Sequence, residues 1–181
     1  MTVPIALQVP AAVFHTIRLH LLPVHSRLEQ GGFLFSRYVA DAKRNPVFTY
    51  VDWIPLKTDD YAEQYPDYLE LTDAARARII KRAHDLDTCL MEFHSHPGPY
   101  PAVFSPSDMH GFGEFVPHVR WRLKGKPYAA AVIAPSGFDA LAWVDTAGTA
   151  VQLNTIETDT EILRATELTL RWRQKVRHGA I

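Results

Sequence analysis

His94-Ser95-His96-Pro97 constrains this chain more than any other run in it. In an extended segment residues i and i+2 point to the same side, so His94 and His96 converge while Ser95 faces away. Pro97 ends the strand, and the turn-rich stretch Gly98-Pro99-Tyr100-Pro101 leads to Asp108 at the start of an expected helix. A fold that brings that carboxylate back to the strand end adds a third ligand beside the two imidazoles. Three protein ligands leave a fourth tetrahedral position open, which is the arrangement of a catalytic zinc rather than a structural one.

Such a centre needs a general base. Glu29, in Leu28-Glu29-Gln30-Gly31-Gly32-Phe33-Leu34-Phe35, stands just before an expected strand whose glycine pair permits close packing. Glu92 is the competing carboxylate. Two residues before His94, it shares the face of both histidines and reads either as a partner orienting an imidazole or as a strand-edge charge.

Taken together, the Glu, the Gly-Gly-Phe-Leu-Phe strand, His-Ser-His-Pro and Ser105-x-x-Asp108 resemble the JAB/MPN family of zinc metallopeptidases, which carries the JAMM motif. The motif spans Glu29 to Asp108, and the element order outside it is compatible with the same domain. The resemblance implies that His94, His96 and Asp108 bind Zn2+, that Glu29 rather than Glu92 is the base, and that Ser105 hydrogen-bonds the developing oxyanion. One departure is visible: eight residues, Pro97 to Phe104, separate the second histidine from Ser105 where the family has seven. An added residue in a proline-bearing loop alters its path without displacing Asp108. Ser107 is the alternative hydroxyl, though it breaks the Ser-x-x-Asp interval.

The resemblance further implies hydrolysis after the C-terminal tail of a ubiquitin-like protein, by deconjugation or precursor processing. Stand-alone bacterial members of the family are associated with ubiquitin-like conjugation operons, some of them antiviral. Trimming of a sulfur-carrier protein's tail is the alternative with the same chemistry. A non-catalytic MPN scaffold is a different class, whose members lack motif residues that are all present here. A cell-wall or phage-tail hydrolase is a third class, and it predicts an exported or virion-associated protein.

Composition narrows the rest. At 181 residues, 47% of them hydrophobic, the chain suits one domain over residues 1–181 around one core. Its net charge is −1 with basic and acidic residues scattered, so it carries no electrostatic footprint for nucleic acid. No apolar run reaches the roughly 20 residues that span a bilayer, and Met1–Ala6 lacks the basic start of a signal peptide. A cytoplasmic protein with no membrane partner is expected. Cys89, the sole cysteine, excludes an internal disulfide and any cysteine zinc cluster, including the Pro-Cys-x-x-Cys of zinc deaminases. Within the apolar run Thr88-Cys89-Leu90-Met91 it reads as a buried thiol. His15, His20, His25 and His84 read as solvent-facing or capping residues, His110 as pointing away from the ligand face, and His118 and His178 carry no signal. Arg164, Arg171, Arg173, Lys175 and Arg177 read as a solvated helix face or an acidic partner's contact.

The patterning predicts strands over 5–9, 32–39, 47–56, 88–96, 128–134, 138–144 and 151–153. It predicts helices from Pro10 to about His25, from Ala74 to about Asp85 behind a Thr72-Asp73 cap, from Ser105-Asp108 onward, and from Thr158 to Val176. Interleaved, these elements give an α/β domain with a mixed β-sheet flanked by helices. The resemblance implies the JAB/MPN fold, which is cytidine-deaminase-like. The acidic, tyrosine-rich segment Lys57–Tyr68 reads as a surface loop or a protein contact. Tyr100, Val103 and Phe104 read as a wall of a groove, where the family takes an extended tail against a strand edge.

Overall fold

Period-2 alternation of apolar residues in the central strands sorts the core into two clusters, and that sorting decides which side carries the chemistry. The computed structural model describes residues 3–41 and 44–177. Residues 1–2, 42–43 and 178–181, and with them His178 and part of the first hairpin connection, lie outside the described residues. In chain order the elements are β1 (Ile5–Gln8), α1 (Ala11–Leu21), β2 (Gly31–Asp41), β3 (Arg44–Pro55), β4 (Tyr61–Tyr65), β5 (Tyr68–Leu71) and α2 (Asp73–Asp85). There follow β6 (Cys89–Ser95), α3 (Pro106–Arg122), β7 (Tyr128–Ala134), β8 (Gly137–Trp143), β9 (Val151–Glu157), β10 (Ile162–Arg164) and α4 (Leu168–Arg177).

The main sheet runs β1-β3-β2-β6-β7-β8-β9-β10, and β1 also pairs in parallel with β9. That last pairing closes seven strands into a mixed barrel, with β10 added antiparallel to β9. The expectation of a mixed sheet flanked by helices is thus met in its elements and refined in its topology, because the sheet curls shut. Phe33, Phe35, Leu90, Tyr128 and Val132 pack in one cluster with Ile79 and Ala83 of α2 and Phe112 and Val116 of α3. Leu34, Met91, Phe93, Ala129 and Ile133 belong to the other cluster, with Phe14, Ile17 and Leu21 of α1. His94 and Glu92 have the parity of Leu90, so they emerge on the side of α2 and α3. Gly32 is needed for close approach: a Cβ there would fall inside the Trp53 indole and 3.0 Å from the Ile54 carbonyl oxygen.

Three expectations need correction. The first helix stops at Leu21 rather than near His25, because Pro23 cannot continue it and the Leu22 N–H makes the last bond, to the Arg18 carbonyl at 2.9 Å. The C-terminal helix begins at Leu168, not Thr158. The residues between turn at Thr158–Glu161 and return as β10, which pairs Ile162 with Glu157, so sheet pairing overrides the helical spacing. Finally, the segment from Lys57 is no loop: a 3₁₀ turn at Thr58–Asp60 leads into the β4–β5 hairpin, and Asp60 is buried where its carboxylate meets Arg78 at 2.9 Å.

Candidate metal centre

Sheet register and a helix cap assemble this site. β6 ends at Ser95 between antiparallel β2 and parallel β7, with His94 opposite Gly31 on one side and Val132 on the other. His94 is consequently buried at 2% exposure, while His96 lies just past the strand and is half-buried. Asp108 comes from the first turn of α3. Ser105 is the N-cap, Pro106 takes the first helical position, and Asp108 is the third. The capping box is closed in both directions: the Ser105 N–H donates to Asp108 Oδ2 at 2.7 Å, and the Asp108 N–H donates to Ser105 Oγ at 3.1 Å. Asp108 therefore meets the histidines despite the extra residue in the preceding loop.

Asp108 Oδ2 lies 3.6 Å from His94 Nε2 and 3.4 Å from His96 Nε2. Neither ring nitrogen of His94 has a hydrogen-bond partner, although both are buried. Buried polar atoms without partners are uncommon and call for an explanation. A cation would account for Nε2, since the ligand atoms of His94, His96 and Asp108 all lie within 4.8 Å of one another and could hold a metal ion, while Nδ1 faces the Glu92 carboxylate at 3.4 Å. Burial alone would lower the pKa of His94, but the Asp108 and Glu92 carboxylates outweigh it and raise it well above the usual value. Burial likewise opposes ionisation of Asp108, and the two imidazoles hold it well below the usual carboxylate range.

Glu29 approaches the same nitrogen of His96 as Asp108 does, its Oε1 3.4 Å from Nε2, and is 3% exposed. Burial pushes its carboxyl up to about 7, against the pull of His94 and with help from Asp108 and Asp67. Its backbone is held from two directions. Ser95, the residue facing away from the metal side, accepts the Gln30 N–H on its Oγ at 2.9 Å and donates its own N–H to the Gln30 carbonyl at 2.9 Å. The β4–β5 hairpin supplies the rest: the Glu29 N–H donates to the Tyr65 carbonyl (3.0 Å), Gln64 Nε2 donates to the Glu29 carbonyl (2.7 Å), and the Gly31 N–H donates to Tyr61 Oη (2.8 Å). Sequence reasoning missed these roles, since the only local signal was the tyrosine-rich composition of the segment.

Glu92 faces His94, as the orienting role requires, without a hydrogen bond between them. Its Oε1 lies 3.4 Å from His94 Nδ1, and its Oε2 accepts the buried Tyr128 hydroxyl at 3.0 Å. A carboxylate behind a ligating imidazole fixes the ring and raises its basicity. Among the remaining histidines, His20 is neither a cap nor purely solvent-facing: its Nε2 lies 2.9 Å from the Gly31 carbonyl oxygen and its ring packs edge-on to Trp53. Ser107 lines the adjacent cavity with Asp108, whereas Ser105 Oγ is the helix cap. Phe104 is 1% exposed with its ring 5.6 Å from that of His94, and with Val103 it lines a hollow against Leu168, Arg171 and Trp172 rather than the cavity beside Asp108, while Tyr100 is 74% exposed.

A cavity of about 220 Å³ opens beside His94 and Asp108, walled by Phe33, Leu56, Phe112 and Phe115 and by every residue of β5. No described helix is long and apolar enough to cross a membrane. A scan against models of known protein families and a search of curated proteins each found no match to this chain.

Proposed function

We propose that this protein is a zinc-dependent peptidase or isopeptidase of the JAB/MPN type, cleaving after the C-terminal tail of a ubiquitin-like protein. The observation that carries the proposal is the pairing of a three-ligand cluster around the buried His94 with a buried carboxyl that has no place in the ligand set: Glu29 Oε1 at 3.4 Å from His96 Nε2. Zinc fits the donors. At metal–ligand distances of about 2.1 Å, neighbouring ligands of a tetrahedral site stand roughly 3.4 Å apart, close to the 3.4 and 3.6 Å between Asp108 Oδ2 and the two imidazoles. When bound, zinc polarises a scissile carbonyl and brings the pKa of a coordinated water to about 7.

The protein's own groups do the rest. Glu29, with its carboxyl near 7, takes up and releases a proton at neutral pH, accepting it from the attacking water and returning it to the leaving amine. Ser105 Oγ uses a lone pair on the Asp108 N–H, so its O–H is left to donate to the oxyanion. The β4–β5 pair forms its own two-stranded sheet, and β5 lines the cavity beside the cluster. An extended tail adding to that strand edge would reach the ligands through backbone hydrogen bonds. At about 220 Å³ the cavity is too small for a folded domain, which suits a tail.

The test is cleavage of a panel of ubiquitin-like proteins and sulfur-carrier proteins bearing C-terminal extensions or isopeptide-linked lysine. Zinc content is measured in parallel, with Glu29→Ala as control. Wild type holding about one zinc and cutting, with Glu29→Ala holding zinc but not cutting, is the expected result. Absence of zinc from the wild type would remove the proposal, and cleavage by Glu29→Ala at the wild-type rate would remove Glu29 as base.

A further inference from the structure

The loop between β6 and α3 has no regular secondary structure, yet Ala102 and Phe104 in it are buried at 0% and 1% exposure. What holds it comes from the far end of the chain. Thr166 Oγ1 donates to the Ala102 carbonyl at 2.7 Å, and the Phe104 N–H donates to Thr169 Oγ1 at 3.0 Å. Asp139 on β8 fixes Thr169 in turn, its Oδ2 accepting both the hydroxyl at 2.7 Å and the N–H at 3.0 Å. The other oxygen, Oδ1, accepts from the Ala140 N–H, Gln152 Nε2 and the Glu167 N–H at 3.0 to 3.2 Å. Asp139 and Thr169 are both fully buried, so losing either partner strands a polar group away from water. The Thr169 hydroxyl acts as donor and acceptor at once, which serine can reproduce and valine cannot.

A second observation points the same way. Glu167 has φ of 58°, in the left-handed region that disfavours a residue with a side chain. Such a backbone persists where its surroundings over-determine it. Here the Glu167 N–H is taken by Asp139, and the bend presents Thr166 and Thr169 to one loop. That loop touches both mounts of the metal cluster. The Phe104 ring packs on His94 at 5.6 Å and on Phe112 of α3 at 5.2 Å, and the next residue, Ser105, caps the helix that carries Asp108.

We infer that Asp139 and Thr169 are positioning residues of the metal centre, setting the approach of Asp108 to His94 by clamping the loop at Phe104. The inference rests on the metal-binding part of the function proposed above. It assigns the first turn of α4 a task in the site although no residue of α4 belongs to the ligand cluster.

The test compares Thr169→Val and Thr169→Ser with wild type and with His94→Ala. The readouts are Zn2+ affinity by chelator competition, the visible absorption spectrum of the Co2+-loaded protein, and thermal melting without metal. Thr169→Val is expected to weaken Zn2+ binding about tenfold or more and to alter the Co2+ bands, with Thr169→Ser restoring both. Thr166→Val, which removes the bond to Ala102 and a longer one from the Leu168 N–H at 3.5 Å, is expected to shift both readouts less in the same direction, and it serves if Thr169→Val does not fold. Should these valine variants melt earlier yet keep wild-type Zn2+ affinity and Co2+ bands, the clamp is merely structural and the inference is overturned, while loss of binding in His94→Ala keeps the metal reading intact. Should wild type take up neither ion, the metal reading falls and this inference falls with it.

Discussion

Asp108 Oδ2 accepts the backbone N–H of Ser105 at 2.7 Å and lies 3.4 Å from His96 Nε2, so one oxygen closes a helix cap and faces a candidate metal ligand. The cap orients the carboxylate before any ion arrives. Because the helix N-terminus also favours negative charge, the same placement supports the ionised form that a ligand needs.

The two roles separate by mutation. Ser105→Ala and Asp108→Ala each remove one half of the capping box, and each is expected to cost about 1 kcal/mol of stability without metal. Urea unfolding measures that loss. Only Asp108→Ala removes a ligand, so chelator competition is expected to show lost Zn2+ binding there and retained binding in Ser105→Ala. Equal metal loss in both variants would mean that the cap, not the carboxylate, governs binding.

Glu92 stands behind the His94 ring and Tyr128 behind Glu92. Glu92→Gln is expected to weaken Zn2+ binding about 10- to 100-fold. Tyr128→Phe, which removes one hydrogen bond to that carboxylate, is expected to have a smaller effect in the same direction. Unchanged affinity in Glu92→Gln would reduce Glu92 to a strand-edge charge.

The hairpin residues Tyr61 and Gln64 bond to the backbone at Gly31 and Glu29 and to no ligand. Gln64→Ala and Tyr61→Phe are therefore expected to lower kcat, by up to about 100-fold if the Glu29 carboxyl shifts by an ångström. Their zinc content is expected to stay at the wild-type level. A fall in zinc rather than in turnover would contradict this division of labour.

Burial pushes the Cys89 thiol from its ordinary 9.0 up to about 11. The thiol is expected to react with Ellman's reagent at pH 8 only after denaturation. The linkage has a definite sign. Burial favours the protonated form, so the contribution to stability is intact below pH 9 and is lost as pH rises toward about 11. Cys89→Ala is expected to flatten the fall in stability over that window, measured by urea midpoints, and an unaltered fall would assign it to other groups.

Much of the site was legible in the chain because its geometry is local. His94 and His96 share a side through the pleat of one strand, and Ser105 and Asp108 share a turn through the spacing of a capping box, so short-range rules place each pair. Glu29 was legible only through the resemblance, because nothing in its neighbours states which distant residue it faces. The Lys57–Tyr68 segment was misread for the same reason. Tyr61 and Gln64 look like ordinary exposed polar residues until the Tyr61 hydroxyl and the Gln64 amide are seen bonded to the backbone around Glu29.

The amino-acid sequence by itself determined the seven strands of the barrel, most of the helices and the identity of the converging donors, since periodicity, caps and prolines act within a few residues. Tertiary structure alone decided that β1 would join β9 and close the barrel, that residues 158–167 would extend and bend rather than coil, and that Asp139 would reach Thr169. The first and last of those contacts join segments 30 or more residues apart. Their free energy comes from burying and satisfying groups on both sides at once, which no local pattern encodes.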